Sequence, residues 1–405
     1  TSRRGGIFPR RSVGAWWPGQ QMPREVAVPP SCVHFNGSVN LADAETVMRE
    51  IARRVPSGVR RLPDGETGDR AAWIFFQLRK FLQHPGLAPA HDSGRPGDYQ
   101  QIPKVRLADG ITPASLQWPD LGYAAAYARS YQIFSRLSAA GVLPPGLRFQ
   151  VQYPTPLAPV RSWVVLEQQD ALMDSYERAL FDDLRQLLAQ IPPDKVAVQW
   201  DVAVEFGILE GGRGDPVPGA LDDIVARLAR CIGQVPPGVP AGLHLCYGDY
   251  GHRHLSEPPS LAMQVQVLNQ VSAAAPRAVS FTSFTVPQYQ QDPAYFSPLR
   301  DLRASRHTEL YFSLVPYHPE DQQPGTTGQQ ARLIERFLAE SGAGHKAWGI
   351  CTECGMGRAE RSDIPALLDL HRQVLAAQCP DTGRHTRHQT AIQDTASPLP
   401  PGDRR

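Results

Sequence analysis

The sequence predicts an α/β fold built from eight repeated βα units. From about residue 31, short apolar runs alternate with longer amphipathic stretches, a rhythm typical of parallel strands joined by helices. The strand-like runs number eight, which is the number that closes a TIM barrel. Polar residues collect at the ends of these runs, where barrels of this class carry their active sites. Together these observations predict a (β/α)8 TIM barrel.

The elements follow in a regular order along the chain. We predict strands at residues 32–38, 59–63, 148–153, 196–203, 241–247, 278–284, 309–315 and 346–351. Helical patterns occupy residues 42–54, 168–191, 220–235, 260–274, 329–341 and 363–378. The segment 292–303, after the sixth strand, contains two prolines and has the least regular helical pattern.

A long insertion, about residues 77–146, is predicted between the second and third strands. It begins with a loop rich in Pro, Gly and Asp and ends in a helix at 122–140. Loops longer than about fifteen residues are usually functional lids or disordered, so we expect Trp73 or Trp118 to close over a substrate. Residues 31–378 form one predicted domain, with a flexible arm at 1–30 and a disordered tail at 380–405.

Composition excludes several classes of partner. Forty-one basic and forty acidic residues nearly cancel, and no basic stripe with interleaved aromatics is present. Neither a nucleic acid nor a membrane is therefore expected, and no apolar run approaches the ~20 residues that span a bilayer. The six scattered cysteines do not form a disulfide framework, which favours a reducing, cytoplasmic location. A small molecule is the expected partner, and a homodimer remains open.

Acidic side chains follow two of the predicted strands. Asp64 and Glu66 come after the second strand, and Gln199 and Asp201 share one face of the fourth strand because strand side chains alternate. Burying carboxylates without partners costs several kcal/mol, so a purely structural barrel would not place them there. Asp64, Glu66 and Asp69 could serve as acid and base, or could hold Mg²⁺ against a phosphorylated substrate.

Ligands of a softer metal occur on two other strands. His244 and Cys246 are two residues apart on the fifth strand and therefore point to the same face, and Cys354 ends the eighth strand. One imidazole and two thiolates suit zinc, with a position left for substrate. The structural alternative is that the cysteines pack as small hydrophobes. Cys351 and Cys354 form a CxxC, but on a strand the two would face opposite ways.

These residues resemble the catalytic half of cobalamin-independent methionine synthase, and more broadly the uroporphyrinogen-decarboxylase-like barrels, over about residues 31–378. Phe35-Asn-Gly-Ser38 is similar to the turn whose backbone holds the amino-acid carboxylate, which implies that Gly37 and Ser38 bind substrate. Gly65-Glu-Thr-Gly-Asp69 and Gln199-Trp-Asp201 are similar to the stretches that bind the homocysteine amine. The resemblance therefore implies amine binding by Glu66 and Asp201, beside Asp64 and Gln199.

The resemblance also covers the softer ligands. His244-Leu-Cys246 and Cys354-Gly355 match the zinc ligands, and Tyr317-His318 resembles the stretch whose histidine is a proposed proton donor. The synthases take a fourth zinc ligand from a glutamate on the sixth strand, and Thr282 stands at the matching position here. We group Thr282, and Asp249 after the fifth strand, with the substrate-binding residues.

Three functions are compatible with the sequence. The first is zinc-dependent transfer of a methyl or alkyl group to a thiol, with Glu66, Asp201 and His318 as catalytic residues. The alternative is a lyase, decarboxylase or cyclase of secondary metabolism that uses the acidic residues, with Mg²⁺ as its cation. A non-catalytic binding barrel is the third, and it leaves the inward carboxylates unexplained.

Overall fold

A computed structural model describes residues 30–90, 103–211, 219–248, 254, 256–345 and 347–378. The predicted tail, residues 1–29 of the predicted arm, and Asp249 lie outside the described residues. The strands are β1 Cys32–Val33, β2 Arg61–Pro63, β3 Leu87–Ala90, β4 Lys104–Leu107, β5 Arg148–Pro154, β6 Val196–Val202, β7 Ala241–Leu245, β8 Phe281–Phe284, β9 Glu309–Phe312 and β10 Trp348–Ile350. The helices are α1 Ala44–Arg54, α2 Phe75–Leu82, α3 Tyr123–Ala139, α4 Leu157–Trp163, α5 Gln169–Leu188, α6 Val204–Leu209, α7 Ala220–Gly233, α8 Ala262–Ala274, α9 Pro293–Phe296, α10 Thr326–Glu340 and α11 Ile364–Gln378.

Eight strands form one parallel sheet in the order β1-β10-β9-β8-β7-β6-β5-β2. The two outer strands are themselves joined by parallel bridges, Val33 to Val59 and Ser38 to Gly65, so the sheet curls back on itself. The architecture is α/β and TIM-barrel-like, as the sequence predicted. All eight predicted strands are present, and most end earlier than predicted because their last residues turn into the loops of the rim.

Each helix predicted from the apolar periodicity is present to within a few residues at either end, whereas α2, α4 and α6 were not predicted. At α1, for example, the Asp43 side chain accepts the Thr46 backbone N–H at 2.8 Å, and Val47, Met48 and Ile51 are buried. The irregular segment after the sixth barrel strand forms α9 and then a 3-10 turn, Ser297–Asp301. Its prolines lie in the first turn of each element, where an N–H has no helical partner to lose.

The connection from β2 to β5 contains more than one barrel helix. It carries α2 and an antiparallel β3–β4 hairpin, neither of which the sequence predicted. The helix α3 follows and packs against α1 and α5. The hairpin is anchored to the barrel because Val165 donates its N–H to the Val105 carbonyl at 3.0 Å and Lys104 Nζ donates to the Ser162 carbonyl at 2.8 Å. The bounds of the insertion, 77–146, stay a prediction.

The interior of the barrel is polar at several levels. Near the amino ends of the strands, the Arg61 guanidinium stacks 4.0 Å from the Phe281 ring centroid and pairs with Glu309 at 2.6 Å. Burial alone would raise the pKa of Glu309, but Arg61 lowers it to about 2.

Within the described residues, no helix combines the length and apolar character needed to cross a membrane.

Candidate active site and metal centre

A group of buried acidic side chains, here called the acidic pocket, lies at the carboxyl ends of the strands, and Asp201 on β6 is at its centre. Gln199 Nε2 donates to Asp201 Oδ1 at 2.8 Å, and the Trp73 indole N–H donates to Asp201 Oδ2 at 3.3 Å. Gln199 is itself fixed, because its Nε2 also donates to the Asn36 carbonyl at 3.0 Å and its Oε1 lies 2.7 Å from His34 Nε2. Both oxygens of Asp201 are therefore held by oriented donors.

Glu66 provides the second carboxylate of this pocket. Its Oε2 accepts the Ser38 hydroxyl at 2.5 Å, and its backbone N–H donates to Asp64 Oδ1 at 3.0 Å. Asp64 is fully buried and forms an ion pair with Arg70. Asp69, in contrast, is exposed. The three carboxylates that the sequence suggested as a Mg²⁺ site are thus not brought together, because one is neutralised by arginine and another faces solvent.

The environment of the two carboxylates favours their protonated forms. Burial and the nearby Asp201 raise the pKa of Glu66 to about 8, although Arg70 and Ser38 oppose the rise. Burial raises the pKa of Asp201 to about 6, against the lowering effect of His244. Near neutral pH the pair therefore holds a proton, and a bound cation such as an ammonium group could take its place.

Replacing Glu66 by Gln is expected to remove a pH-dependent penalty on stability. The pKa of Glu66 in the folded protein, about 8, lies above its value in the unfolded chain. The contribution of Glu66 to the free energy of unfolding is therefore fully present below about pH 4.3 and is lost as the pH rises towards 8. The melting temperature of Glu66→Gln should therefore rise relative to wild type over that window and level off above it. Thermal melts across the window test this, with exposed Glu167→Gln as control. A constant difference would contradict the burial effect.

Two residues of the rim have unusual backbone conformations. Glu66 and Trp73 have φ values of 50° and 53°, in the left-handed region that residues other than glycine seldom adopt. Such strain is held only where the surrounding contacts fix it, and it is common at functional sites. The loop between β2 and α2 is therefore shaped so that both side chains reach the Asp201 pocket.

A second cluster contains the predicted metal ligands. The imidazole of His244 and the thiols of Cys246 and Cys354 offer ligand atoms that all lie within 4.8 Å of one another. Within the described residues this is the one His, Cys, Asp or Glu group with the spacing to hold a metal ion. His244 Nε2 is buried without a hydrogen-bond partner in the described structure, which is the expected state of a nitrogen that serves as a ligand.

The donor set fits zinc. Two thiols and one imidazole are borderline-soft ligands, and three protein ligands leave a position for substrate, as in catalytic zinc sites. Without a cation, the adjacent Cys246 thiol raises the pKa of Cys354 well above its usual value. A divalent cation reverses that preference because coordination deprotonates a thiol.

Cys354 reaches this cluster through a bend and not along a strand. β10 ends at Ile350, and the Thr352 hydroxyl donates to the Cys354 carbonyl at 2.6 Å. The expected alternation of residues 351–354 across a strand is therefore wrong. The following Gly355 lies against Ser38, where an added Cβ would stand 2.8 Å from the Ser38 nitrogen. The thiol cluster is thus adjacent to the Ser38–Glu66 side of the acidic pocket.

The remaining predicted residues differ in whether the fold brings them to the site. Gly37 lies beside the pocket with φ 129°, and a Cβ there would stand 2.9 Å from the Gln152 side chain. His318 is partly buried, and Gln288 contacts its backbone N–H at 3.3 Å. Thr282 is not brought to the site. Its register partners are Leu243 and Leu310, whereas the next residue, Ser283, is the register partner of His244.

Sequence reasoning missed three polar residues at this end of the barrel. They are Ser283, 2.8 Å from His244 Nδ1; Asn36, which accepts from Ser283; and Gln152, whose buried amide atoms have no partner in the described structure. Asn36 lies inside the Phe35-Asn-Gly-Ser38 turn, and Ser283 directly follows Thr282. Both positions were therefore next to predicted ones, but only the register of β7 and β8 shows that Ser283 contacts His244, and only the fold brings Asn36 to Ser283.

A cavity of about 460 Å³ lies at the opposite end of the barrel. Its lining includes Arg60, Arg61 and Arg148, together with Glu309. Arg60 and Arg61 both form ion pairs with Glu309, and Arg148 Nη1 donates to the Pro193 carbonyl at 2.7 Å. The chemistry described above lies instead at the carboxyl ends of the strands, where barrels of this class carry their sites.

The fold and the site define a TIM-barrel-like protein with an acidic pocket beside a His/Cys/Cys cluster able to hold a metal. One similar solved structure is the "Putative Vitamin-B12 Independent Methionine Synthase" from Listeria monocytogenes. It has a TM-score of 0.51 and 11% sequence identity, over 82% of this chain and 86% of that chain. At this identity the likeness shows the fold alone. No protein-family model and no curated protein matches the chain.

Proposed function

We propose that this protein is a zinc-dependent enzyme that transfers a methyl or other alkyl group to a thiol substrate bearing an amino group. The observation that carries this proposal is the convergence of His244, Cys246 and Cys354, whose ligand atoms lie within 4.8 Å of one another. The solved structure of similar fold is named as a methionine synthase, which is compatible with the same chemistry.

These three residues would hold the zinc ion. Zinc bound there would supply Lewis acidity that lowers the pKa of a substrate thiol, so that a nucleophilic thiolate exists at neutral pH. The neighbouring pocket binds the rest of the substrate. Glu66 and Asp201 hold the ammonium group, and the backbone around Gly37 and Ser38 is the proposed carboxylate site.

Proton transfer completes the proposed roles. His318 follows β9 at the same end of the barrel, and we assign it as the donor that protonates the leaving group. Trp73 covers Asp201 and excludes water from the ammonium subsite, because its indole N–H already bonds to that carboxylate. Gln199 keeps Asp201 in one orientation.

The direct test combines metal analysis with a spectroscopic probe. Protein purified without chelators should contain close to one zinc per chain. After exchange for Co²⁺, adding L-homocysteine should increase the thiolate-to-cobalt absorption, since the substrate sulfur adds a further ligand. Absence of zinc, or a cobalt spectrum that L-homocysteine does not change, would sink the proposal.

A second candidate function uses the carboxylates alone. Glu66 and Asp201 have pKa values of about 8 and about 6, an arrangement that suits an acid and a base acting together. This observation favours a lyase, decarboxylase or cyclase as the alternative. In that case Glu66→Gln abolishes turnover, whereas Cys354→Ser leaves it intact.

The two tryptophans predicted as candidates for a lid should behave differently. Trp73→Phe removes the hydrogen bond that holds the indole over Asp201, so the ammonium subsite should be less well covered and the Kd of L-homocysteine should rise about fivefold, which corresponds to ~1 kcal/mol. Trp118 Nε1 donates instead to Ser175 on α5 at 2.7 Å. Trp118→Phe should therefore lower the unfolding free energy by ~1 kcal/mol and leave the Kd unchanged. Equal effects of both variants on Kd would contradict this division.

A further inference from the structure

The ring of His244 is held by a chain of two hydrogen bonds. Its Nδ1 lies 2.8 Å from Ser283 Oγ, and Ser283 Oγ donates to Asn36 Oδ1 at 2.9 Å. The Asn36 amide is itself oriented, because its Nδ2 donates to the Thr352 carbonyl at 2.7 Å. All three side chains are buried, so water does not compete for these contacts.

The direction of each bond follows from the groups involved. A carbonyl can only accept, so the Thr352 contact identifies Nδ2 of Asn36 and leaves Oδ1 facing Ser283. Oδ1 also can only accept, so the single hydroxyl proton of Ser283 is committed to it. Ser283 Oγ must then accept from His244, which requires the proton of the neutral imidazole to be on Nδ1.

The consequence is at the other ring nitrogen. With the proton on Nδ1, His244 Nε2 presents a lone pair. Nε2 is buried without a hydrogen-bond partner in the described structure and Nδ1 is occupied by Ser283, so Nε2 is the nitrogen left to serve the cluster with Cys246 and Cys354. We propose that Ser283 and Asn36 are positioning residues that fix the Nδ1–H tautomer of His244 and aim Nε2 at the metal. The role in metal binding rests on the proposed function, but the tautomer does not.

The strands explain why Ser283 can do this. His244 on β7 and Ser283 on β8 are register partners, so their side chains extend from adjacent points on the same face of the sheet. The Ser283 hydroxyl uses its proton for Asn36 and a lone pair for His244. It therefore acts as a support for the ligand, a role that commonly sets metal affinity by tenfold to a hundredfold.

The first experiment measures the tautomer in metal-free protein labelled with ¹⁵N-histidine. Long-range ¹H–¹⁵N spectra should show His244 with a protonated Nδ1 and an unprotonated Nε2. Ser283→Ala should lose this fixed state, and Ser283→Thr, which keeps the hydroxyl, should retain it. A wild-type His244 protonated on Nε2 overturns the proposal, whether or not the protein binds zinc.

The second experiment measures zinc affinity by competition with a chromophoric chelator. Ser283→Ala should raise the Kd for zinc by about 10- to 100-fold. The matched control is Ser313→Ala, because the Ser313 hydroxyl is equally buried and its hydrogen bonds within the described part of the chain go to the backbone of Val286. An unchanged Kd in Ser283→Ala, or an equal rise in Ser313→Ala, overturns the positioning role. A wild type that binds no zinc overturns the proposed function, and the tautomer measurement still decides the hydrogen-bond chain.

Discussion

Cys246→Ser is expected to lose its zinc, while Cys351→Ser keeps it. In zinc-finger peptides about 10–16 kcal/mol of apparent binding free energy is shared by four ligands, so one thiolate accounts for roughly 3 kcal/mol, or about a hundredfold in Kd. The metal content of Cys246→Ser should therefore fall well below one ion per chain during purification. Atomic emission on both variants measures it.

Cys351→Ser is a demanding control for this prediction. Cys351 is only three residues before Cys354 and is fully buried, but it packs in the interior with Cys32, Phe281 and Tyr311. If Cys351 and Cys354 instead formed a zinc-binding CxxC pair, Cys351→Ser would lose as much metal as Cys246→Ser. That outcome would contradict the His/Cys/Cys assignment.

Glu66→Gln is expected to weaken the binding of thiols that carry an amino group and to leave the binding of thiols without one unchanged. Leaving a buried charge without its partner costs roughly 3 kcal/mol, so the Kd of L-homocysteine should rise about a hundredfold. The Kd of 2-mercaptoethanol, which has no ammonium group, should not change. Titrations of the cobalt-substituted protein with both thiols give the two constants.

Asp201→Asn extends this comparison to the other carboxylate. Asparagine preserves the shape of Asp201 but has one acceptor oxygen for the two donors Gln199 and Trp73, so the comparison of the two thiols, and not the loss of affinity alone, separates charge from a changed hydrogen-bond network. An equal loss for both thiols would place Glu66 and Asp201 outside the ammonium subsite. It would favour their use as an acid and a base instead.

The eight barrel strands could be predicted because each of them carries a recognisable pattern in its own sequence. Runs such as Val196–Val202 are apolar, rich in β-branched residues and bounded by turns, so their existence does not depend on distant contacts. The β3–β4 hairpin carried no such signal. Its strands, Leu87–Ala90 and Lys104–Leu107, are short and lack the two-residue Gly turn that identifies a hairpin.

For part of the site, the sequence identified the residues next to those that form it, but not those residues themselves. In Phe281–Phe284 both faces carry a phenylalanine, so alternation alone cannot tell whether Thr282 or Ser283 points inward. That choice is made by pairing with β7, whose sequence lies about forty residues away. Likewise, the bend that delivers Cys354 depends on contacts of Gly355 with Ser38, more than three hundred residues earlier in the chain.

The position of the thiol cluster would give a bound metal ion a mechanical role. His244 and Cys246 belong to β7 and its end, Cys354 follows β10, and the sheet order places β8 and β9 between them. An ion bound there would link β7 to the segment after β10, so local opening of either of these would require its release. Because a ligand of the native state stabilises it in proportion to the logarithm of its concentration, added zinc should slow amide hydrogen exchange in β7 and β10 more than elsewhere in the sheet.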